Sequence, residues 1–166
     1  MNIIKQDRYR YSDGKMPKFQ KYFRRCQNTT GLIKILNKIL YKYYMDKNHI
    51  EISSSTKIGP GLYIGHPYCI TINANTVIGK NCNIHKGVTI GQENRGKRNG
   101  TPVIGDSVWI GINATIVGNV TIGDDVLIAP NSYVNCDIPS HSVVIGNPCF
   151  VKPVKNATIK YINRKV

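Results

Sequence analysis

The sequence predicts a mainly β solenoid of short strands stacked in coils, preceded by a short α-helical segment. Three observations predict it. A branched aliphatic recurs every six residues, glycine often follows it, and asparagines fall where such a chain must turn. The aliphatic runs are Ile52, Ile58, Ile64; then Ile72, Ile78, Ile84, Ile90; then Ile104, Ile110, Ile116, Ile122, Ile128, Val134. Six is neither the period of a helix nor the alternation of a long strand. It suits short straight segments joined by tight corners, with one aliphatic per segment pointing inward. Small or branched residues such as Thr56, Thr76, Cys82, Val88, Ala114, Val120, Val126 and Ser132 sit four positions later, where the interior is narrow. Asn75, Asn81, Asn113, Asn119 and Asn131 are the corner candidates, because asparagine tolerates tight turns. No single turn of this kind is stable alone, so the coils stack and share one aliphatic column.

The repeat divides the 166 residues into a basic N-terminal segment (1–50), a solenoid (51–151) with an extruded loop at 92–102, and a basic tail (152–166). In the N-terminal segment, Pro17 opens a helix to about Cys26, and Thr29 or Thr30 caps a second. On the second helix Leu32, Ile35, Leu36, Ile39, Leu40 and Tyr43 share a face. That face is expected to pack on the solenoid or on a neighbouring subunit. The sharper alternative is a basic amphipathic helix, carrying Lys34, Lys38 and Lys42, at an anionic membrane surface.

The net charge of +14 invites a nucleic-acid reading, but its distribution argues against one. Residues 1–50 contribute +9 and 152–166 contribute +5, whereas the solenoid is neutral, with six basic and six acidic residues. No run of 18 apolar residues exists, and Met1–Asp7 has no apolar stretch of the secretory kind. The five cysteines form no C-x-x-C pair and are odd in number, which suits reduced thiols in a cytoplasmic protein. No metal constellation, P-loop or dinucleotide fingerprint is present.

Two interruptions break the six-residue phase. Two extra residues lie between Ile64 and Ile72, and the segment Gln92–Thr101 precedes the restart at Pro102-Val103. A solenoid must extrude such insertions, and two extrusions on one side of a coil are expected to wall a cleft. The stretch Ile64–Gly91, with Ile64-Gly65-His66-Pro67, resembles the serine acetyltransferases within the hexapeptide-repeat acyltransferases. Val108-Trp109-Ile110-Gly111 is similar to a coil of galactoside and maltose acetyltransferases. This resemblance covers roughly residues 50–153. It implies a left-handed parallel β-helix, a homotrimer with sites between subunits, and acetyl-CoA as co-substrate without a metal.

By the same resemblance His66 is the catalytic residue, and the chemistry suits an imidazole. A neutral imidazole takes the proton of a hydroxyl as its oxygen attacks the acetyl thioester, and a backbone N–H on the Trp109-Ile110-Gly111 coil holds the oxyanion. His85 is expected to orient the acceptor, or else to be a solvated corner residue. Asn73, Arg98 and Thr101 are the other acceptor-side candidates. Gly111, Ala129 and Pro130 are the positions for the pantetheine arm, and Lys152 and Lys155 for the CoA phosphates. His141 reads as structural, and His49 carries no signal.

The departures from the serine enzymes bear on the acceptor. Those enzymes carry aspartate before the catalytic histidine, where this chain has Gly65. They have arginine and histidine before the proline that follows the loop, where it has Gly100 and Thr101. About 50 residues precede the repeat, where those enzymes have a long helical domain. An amino acid needs partners for its charges. The short N-terminal segment, Gly65-His66-Pro67, the basic polar loop and Val108-Trp109-Ile110-Gly111 resemble the bacterial sugar and capsular-polysaccharide O-acetyltransferases. That resemblance implies a sugar or polysaccharide-precursor hydroxyl as acceptor, with serine as the alternative and a non-catalytic scaffold as the rival of another class.

Overall fold

The computed structural model describes residues 2–166. Three helices come first: α1 (Ile3–Tyr9), α2 (Lys18–Asn28) and α3 (Gly31–Lys47). The chain then winds into a solenoid with three parallel faces. The first face stacks strands centred on Ile52, Ile72, Ile90, Ile116 and Val134; the second those of Ile58, Ile78, Ile104 and Ile122; the third those of Ile64, Ile84, Ile110, Ile128 and Val144. Each of these residues faces its counterpart one coil on, so the six-residue period becomes three inward aliphatic ladders. All are buried, and each full burial contributes about 1.5–3 kcal/mol.

The corners explain the Ile-Gly dipeptides. A Cβ on Gly59 would lie 2.7 Å from the Gly79 carbonyl carbon, and one on Gly79 would lie 2.5 Å from the Gly105 oxygen. Backbones stack here too closely for any side chain. Asn81, Asn113 and Asn131 turn their corners with φ near +58°, which asparagine tolerates. Asn75 turns differently, its N–H bonded to the Asn73 Oδ1 at 2.9 Å. Inside, the Thr56 and Thr76 hydroxyls are buried without a hydrogen-bond partner. Thr76→Val keeps the shape and removes that cost. It is expected to stabilise the fold by about 1 kcal/mol, read as a melting temperature roughly 2–4 °C higher.

The N-terminal segment closes the open end of the solenoid. The first coil has no preceding coil to pair with, and side chains supply the missing partners. Asp7 accepts from the Gly61 and Leu62 N–H groups at 2.9 and 3.1 Å, and the Tyr11 hydroxyl accepts from Ile64 N–H at 2.8 Å. Arg24 donates to the Ile58 and Gly59 carbonyls, Gln20 to that of Leu62, and Arg10 to that of Gly61. α1 is a helix beyond the two expected from the sequence, and part of the N-terminal charge is turned inward. Arg10, Arg24 and Asp7 are in fact buried caps.

α2 and α3 form where expected, with Pro17 and Thr30 as the residues before them. The packed face of α3 differs from the expected one. Asn37 and Tyr41 turn inward, with the Tyr41 hydroxyl donating to the Ile52 carbonyl at 2.7 Å, whereas Leu32, Ile35, Leu36, Ile39 and Tyr43 are exposed. The polar inner face wins because the first coil offers an unpaired carbonyl there.

The basic tail is an ordered strap. Phe150–Pro153 pairs antiparallel with Ser142–Ile145. Asp125 then accepts from the Ala157 and Thr158 N–H groups and from the Thr158 hydroxyl, and contacts His141 Nδ1 at 2.8 Å. Burial works against the Asp125 charge, but the bonds from Thr158 and His141 outweigh it and hold the carboxyl below its usual range. The strap ends beside the first two coils, where Arg10 Nε donates to the Asn163 carbonyl and Asn81 of the second coil bonds Val166. His141 is thus structural, as its sequence context suggested. The strap also brings two thiols together, with Cys136 and Cys149 Sγ in contact at 3.9 Å.

Candidate functional site

The corner between the third and first faces gathers half of the expected site residues: His66, His85, Gly111, Ala129 and Pro130. His66 follows the strand Tyr63–Gly65, is exposed, and has φ +53°. The two-residue insertion is extruded here, so the imidazole stands clear of the stacked backbone. One coil on, the register sets His85 against Gly65, and its imidazole fills the space beside that glycine. A Cβ on Gly65 would lie 2.4 Å from His85 Cδ2 and 2.7 Å from its Nε2. The Ile110 carbonyl lies 2.8 Å from His85 Nδ1, so Nδ1 carries the proton and Nε2 keeps a lone pair beside Gly65. Burial pushes the His85 pKa below the ordinary imidazole value, the Ile110 bond opposes this, and nearby His66 adds to the lowering. His85 is therefore a half-buried neutral group at the His66 corner rather than a solvated corner residue.

Gly111 and Ala129 continue the same edge on the next two coils, and Pro130 adjoins them. A Cβ on Gly111 would meet the Pro130 nitrogen at 2.6 Å. The edge is thus a narrow backbone track running away from His66. The Gly111 N–H is bonded to the Ile128 carbonyl at 2.8 Å and is not free to hold an oxyanion. Lys152 and Lys155 are exposed, but they do not extend this edge: Lys152 pairs with Val143 in mid-strand, and Lys155 follows Pro153 at the opposite, second–third corner, where Val154 N–H donates to the His141 carbonyl. Five strand spacings, about 24 Å, separate the His66 strand from the strand of Lys152.

Asn73, Arg98 and Thr101 are not at this corner. The loop leaves between the first and second faces, so the two extrusions do not wall one cleft within a chain. Asn73 Nδ2 donates to Gln92 at 3.1 Å, Thr101 Oγ1 donates to the Asn75 carbonyl at 3.3 Å, and Arg98 Nη1 donates to the Asn135 carbonyl at 2.8 Å. The loop folds onto its own solenoid because its backbone bonds the next coil, with Asn119 N–H donating to the Arg98 carbonyl.

A cavity of about 680 Å³ opens beside His85, between the third face, the turn after α1 and the strap. Its wall is an aromatic series. Ring centroids are 6.4 Å apart for Tyr63–His85, 4.6 Å for His85–Trp109 and 5.3 Å for Trp109–Tyr161. Lys15 and Arg164 also line it. Tyr63 and Trp109 sit one residue before an inward isoleucine, so the register marks them as outward-facing. Nothing periodic marks Tyr161 or Arg164. Among the described residues, no group of three or more His, Cys, Asp or Glu side chains is arranged to hold a metal.

Residues 101–136 match the family described as bacterial transferase hexapeptide (six repeats). The solenoid is a left-handed hexapeptide-repeat β-helix. A serine acetyltransferase of Staphylococcus aureus (strain Mu50) is 43% identical over 101 residues, 60% of this chain and 46% of that protein. The structure of Neisseria gonorrhoeae serine acetyltransferase in complex with serine matches with a TM-score of 0.65 and 30% identity, covering 81% of this chain and 54% of that one. A serine acetyltransferase complex with CoA matches at 0.64 and 26%, covering 81% and 54%. The chain spans about half the length of these relatives.

Proposed function

We propose that this hexapeptide solenoid is an acetyl-CoA-dependent O-acetyltransferase with His66 as general base. The observation that carries the reading is the single corner on which the exposed His66 imidazole adjoins the backbone track through Gly111 and Ala129. Acetyl-CoA lies along that track with its thioester at His66 and its phosphates toward the last coil, on the side of Lys152. The acceptor oxygen attacks the thioester carbon as its proton passes to His66. The carbon–sulfur bond then breaks, the proton goes to the departing thiolate, and the O-acetyl product and CoA leave. A homotrimer is part of this reading: loop 92–102 and His66 leave from different corners of one chain, so a neighbouring protomer would have to bring its loop to the His66 corner.

The similar proteins favour L-serine as the acceptor, and they give the sugar branch no support of their own. One local observation favours a sugar hydroxyl as a second reading. The space beside Gly65 holds a neutral imidazole, not a carboxylate, so that position offers no anion to a substrate ammonium. The adjoining aromatic wall suits the apolar face of a sugar ring.

Thiol release from acetyl-CoA with L-serine against a panel of sugars tests both readings. Turnover of serine alone supports the first, sugar turnover without serine supports the second, and no release with any acceptor sinks the enzyme. A paired variant tests the local argument. Gly65→Asp with His85→Ala removes the ring atoms that a Gly65 Cβ would meet and adds a carboxylate. It is expected to raise kcat/KM for serine, relative to an acceptor lacking the amine, by about 10- to 100-fold. An unchanged ratio would remove His85 from acceptor selection.

A further inference from the structure

α3 presents its apolar face outward. Leu32 is 84% exposed, Ile33 66% and Ile39 61%, and Ile35, Leu36 and Tyr43 are also exposed. At ~100° per residue, Leu32, Ile35, Leu36, Ile39 and Tyr43 fall within about 100° of the helix circumference. The opposite side is the one that packs. It carries the Asn37 Nδ2 bond to Thr29 and the Tyr41 bond to Ile52, while Tyr44 stacks on Tyr22 of α2 at 5.5 Å. Lys38 and Lys42 border the apolar stripe on one flank and Lys47 on the other, all exposed; Lys42 is ion-paired to Asp46, which closes the stripe at its C-terminal end. Lys18 on α2 is exposed as well. A stripe of this size left in water is unusual for a folded chain and marks a contact surface.

Charge chooses the occupant. The N-terminal 50 residues carry twelve basic and three acidic side chains, and on α3 only Asp46 offsets four lysines. Pairing two copies through this stripe would set lysine flank against lysine flank. An anionic surface meets the same lysines favourably while it takes up the apolar stripe. No described helix is long and apolar enough to cross a membrane, so a helix of this kind lies along the surface. We infer that α3 docks the protein on an anionic lipid bilayer, with Leu32, Leu36 and Ile39 in the acyl boundary and Lys38, Lys42 and Lys47 at the headgroups. The inference does not depend on acetyl transfer, because its lipid-facing residues lie on the outer face of α3, whereas the helix meets the His66 insertion through its C-cap, the Asn48 carbonyl accepting from Cys69 N–H.

Flotation of the full-length chain with vesicles tests it. Vesicles of phosphatidylcholine with roughly 30 mol% phosphatidylglycerol are expected to carry the protein at low salt, and pure phosphatidylcholine to carry far less. Raising the salt should weaken binding. Leu36→Glu with Ile39→Glu should abolish flotation, and Lys38→Glu with Lys42→Glu should lower partitioning by about thirtyfold or more. Both variants should keep the wild-type melting temperature, since these side chains are exposed. Absence of flotation in the wild type, or unchanged flotation in the Leu36/Ile39 variant, would overturn the inference. Efficient Ile39→Cys cross-linking between two α3 helices in solution would also overturn it and make a second copy the occupant.

Discussion

Replacing His66 by asparagine is expected to lower thiol release from acetyl-CoA by about 10²–10⁴-fold, the usual contribution of a positioned general base. Asparagine is the better first variant because of the backbone. His66 has φ +53°, a conformation that costs an ordinary residue roughly 1–2 kcal/mol. His66→Ala would mix that strain with the loss of the base, whereas asparagine accepts the left-handed turn and removes only the imidazole proton chemistry. KM for acetyl-CoA should change little, since the track through Gly111 and Ala129 is untouched. The melting temperature should stay within about 1 °C, since His66 is exposed and its backbone geometry is kept. A wild-type rate in His66→Asn would transfer the base to another group or end the catalytic reading. A lost rate with a fallen melting temperature would instead point to damage at the corner.

The solenoid was legible in the sequence because its contacts are between nearest coils, so a fixed period in the chain becomes a fixed register in space. That is why Ile64, Ile84, Ile110 and Ile128 could be aligned from their spacing alone, and why His66 could be placed at an extruded corner. The same logic failed for the loop. A count of residues says that Gln92–Thr101 is extruded, but the face that Ile90 occupies decides which corner it leaves from. That corner is one face away from His66. The strap and the N-terminal plug were not legible for a different reason. Their partners are distant in sequence and follow no period: Arg10 with Asn163 and Gly61, Asp125 with Thr158, Tyr161 with Trp109. The aromatic cavity beside His85 needs both segments, so it could not be read either. α3 misled for a third reason. Its apolar face was clear, but an apolar face is only an offer of contact. The unpaired Ile52 carbonyl drew the Tyr41 side inward instead.

Asp7→Ala is expected to cost about 3–5 kcal/mol, the largest stability effect of any single change considered. Asp7 and Arg24 are both fully buried, with Arg24 Nε donating to Asp7 Oδ2 at 2.7 Å. The same carboxylate accepts from Gln20 Nε2 and from the Gly61 and Leu62 N–H groups of the first coil. Removing it leaves a buried guanidinium short of its anion and two backbone donors without partners. The melting temperature should fall by roughly 10 °C or more. Two comparisons separate this from a simple loss of packing. Asp7→Asn keeps the shape and some hydrogen bonding, so a cost close to that of alanine would assign the effect to charge. Combining Asp7→Asn with Arg24→Met should cost less than the two single changes summed, because the second change removes the unpaired charge left by the first. If the effects simply add, the ion pair is not the coupling, and the capped amides of Gly61 and Leu62 carry the stability. Hydrogen exchange then decides between them. Loss of the cap should expose the amides of the first coil while those of the Ile110 and Ile128 strands stay protected, since coils farther along are paired on both sides.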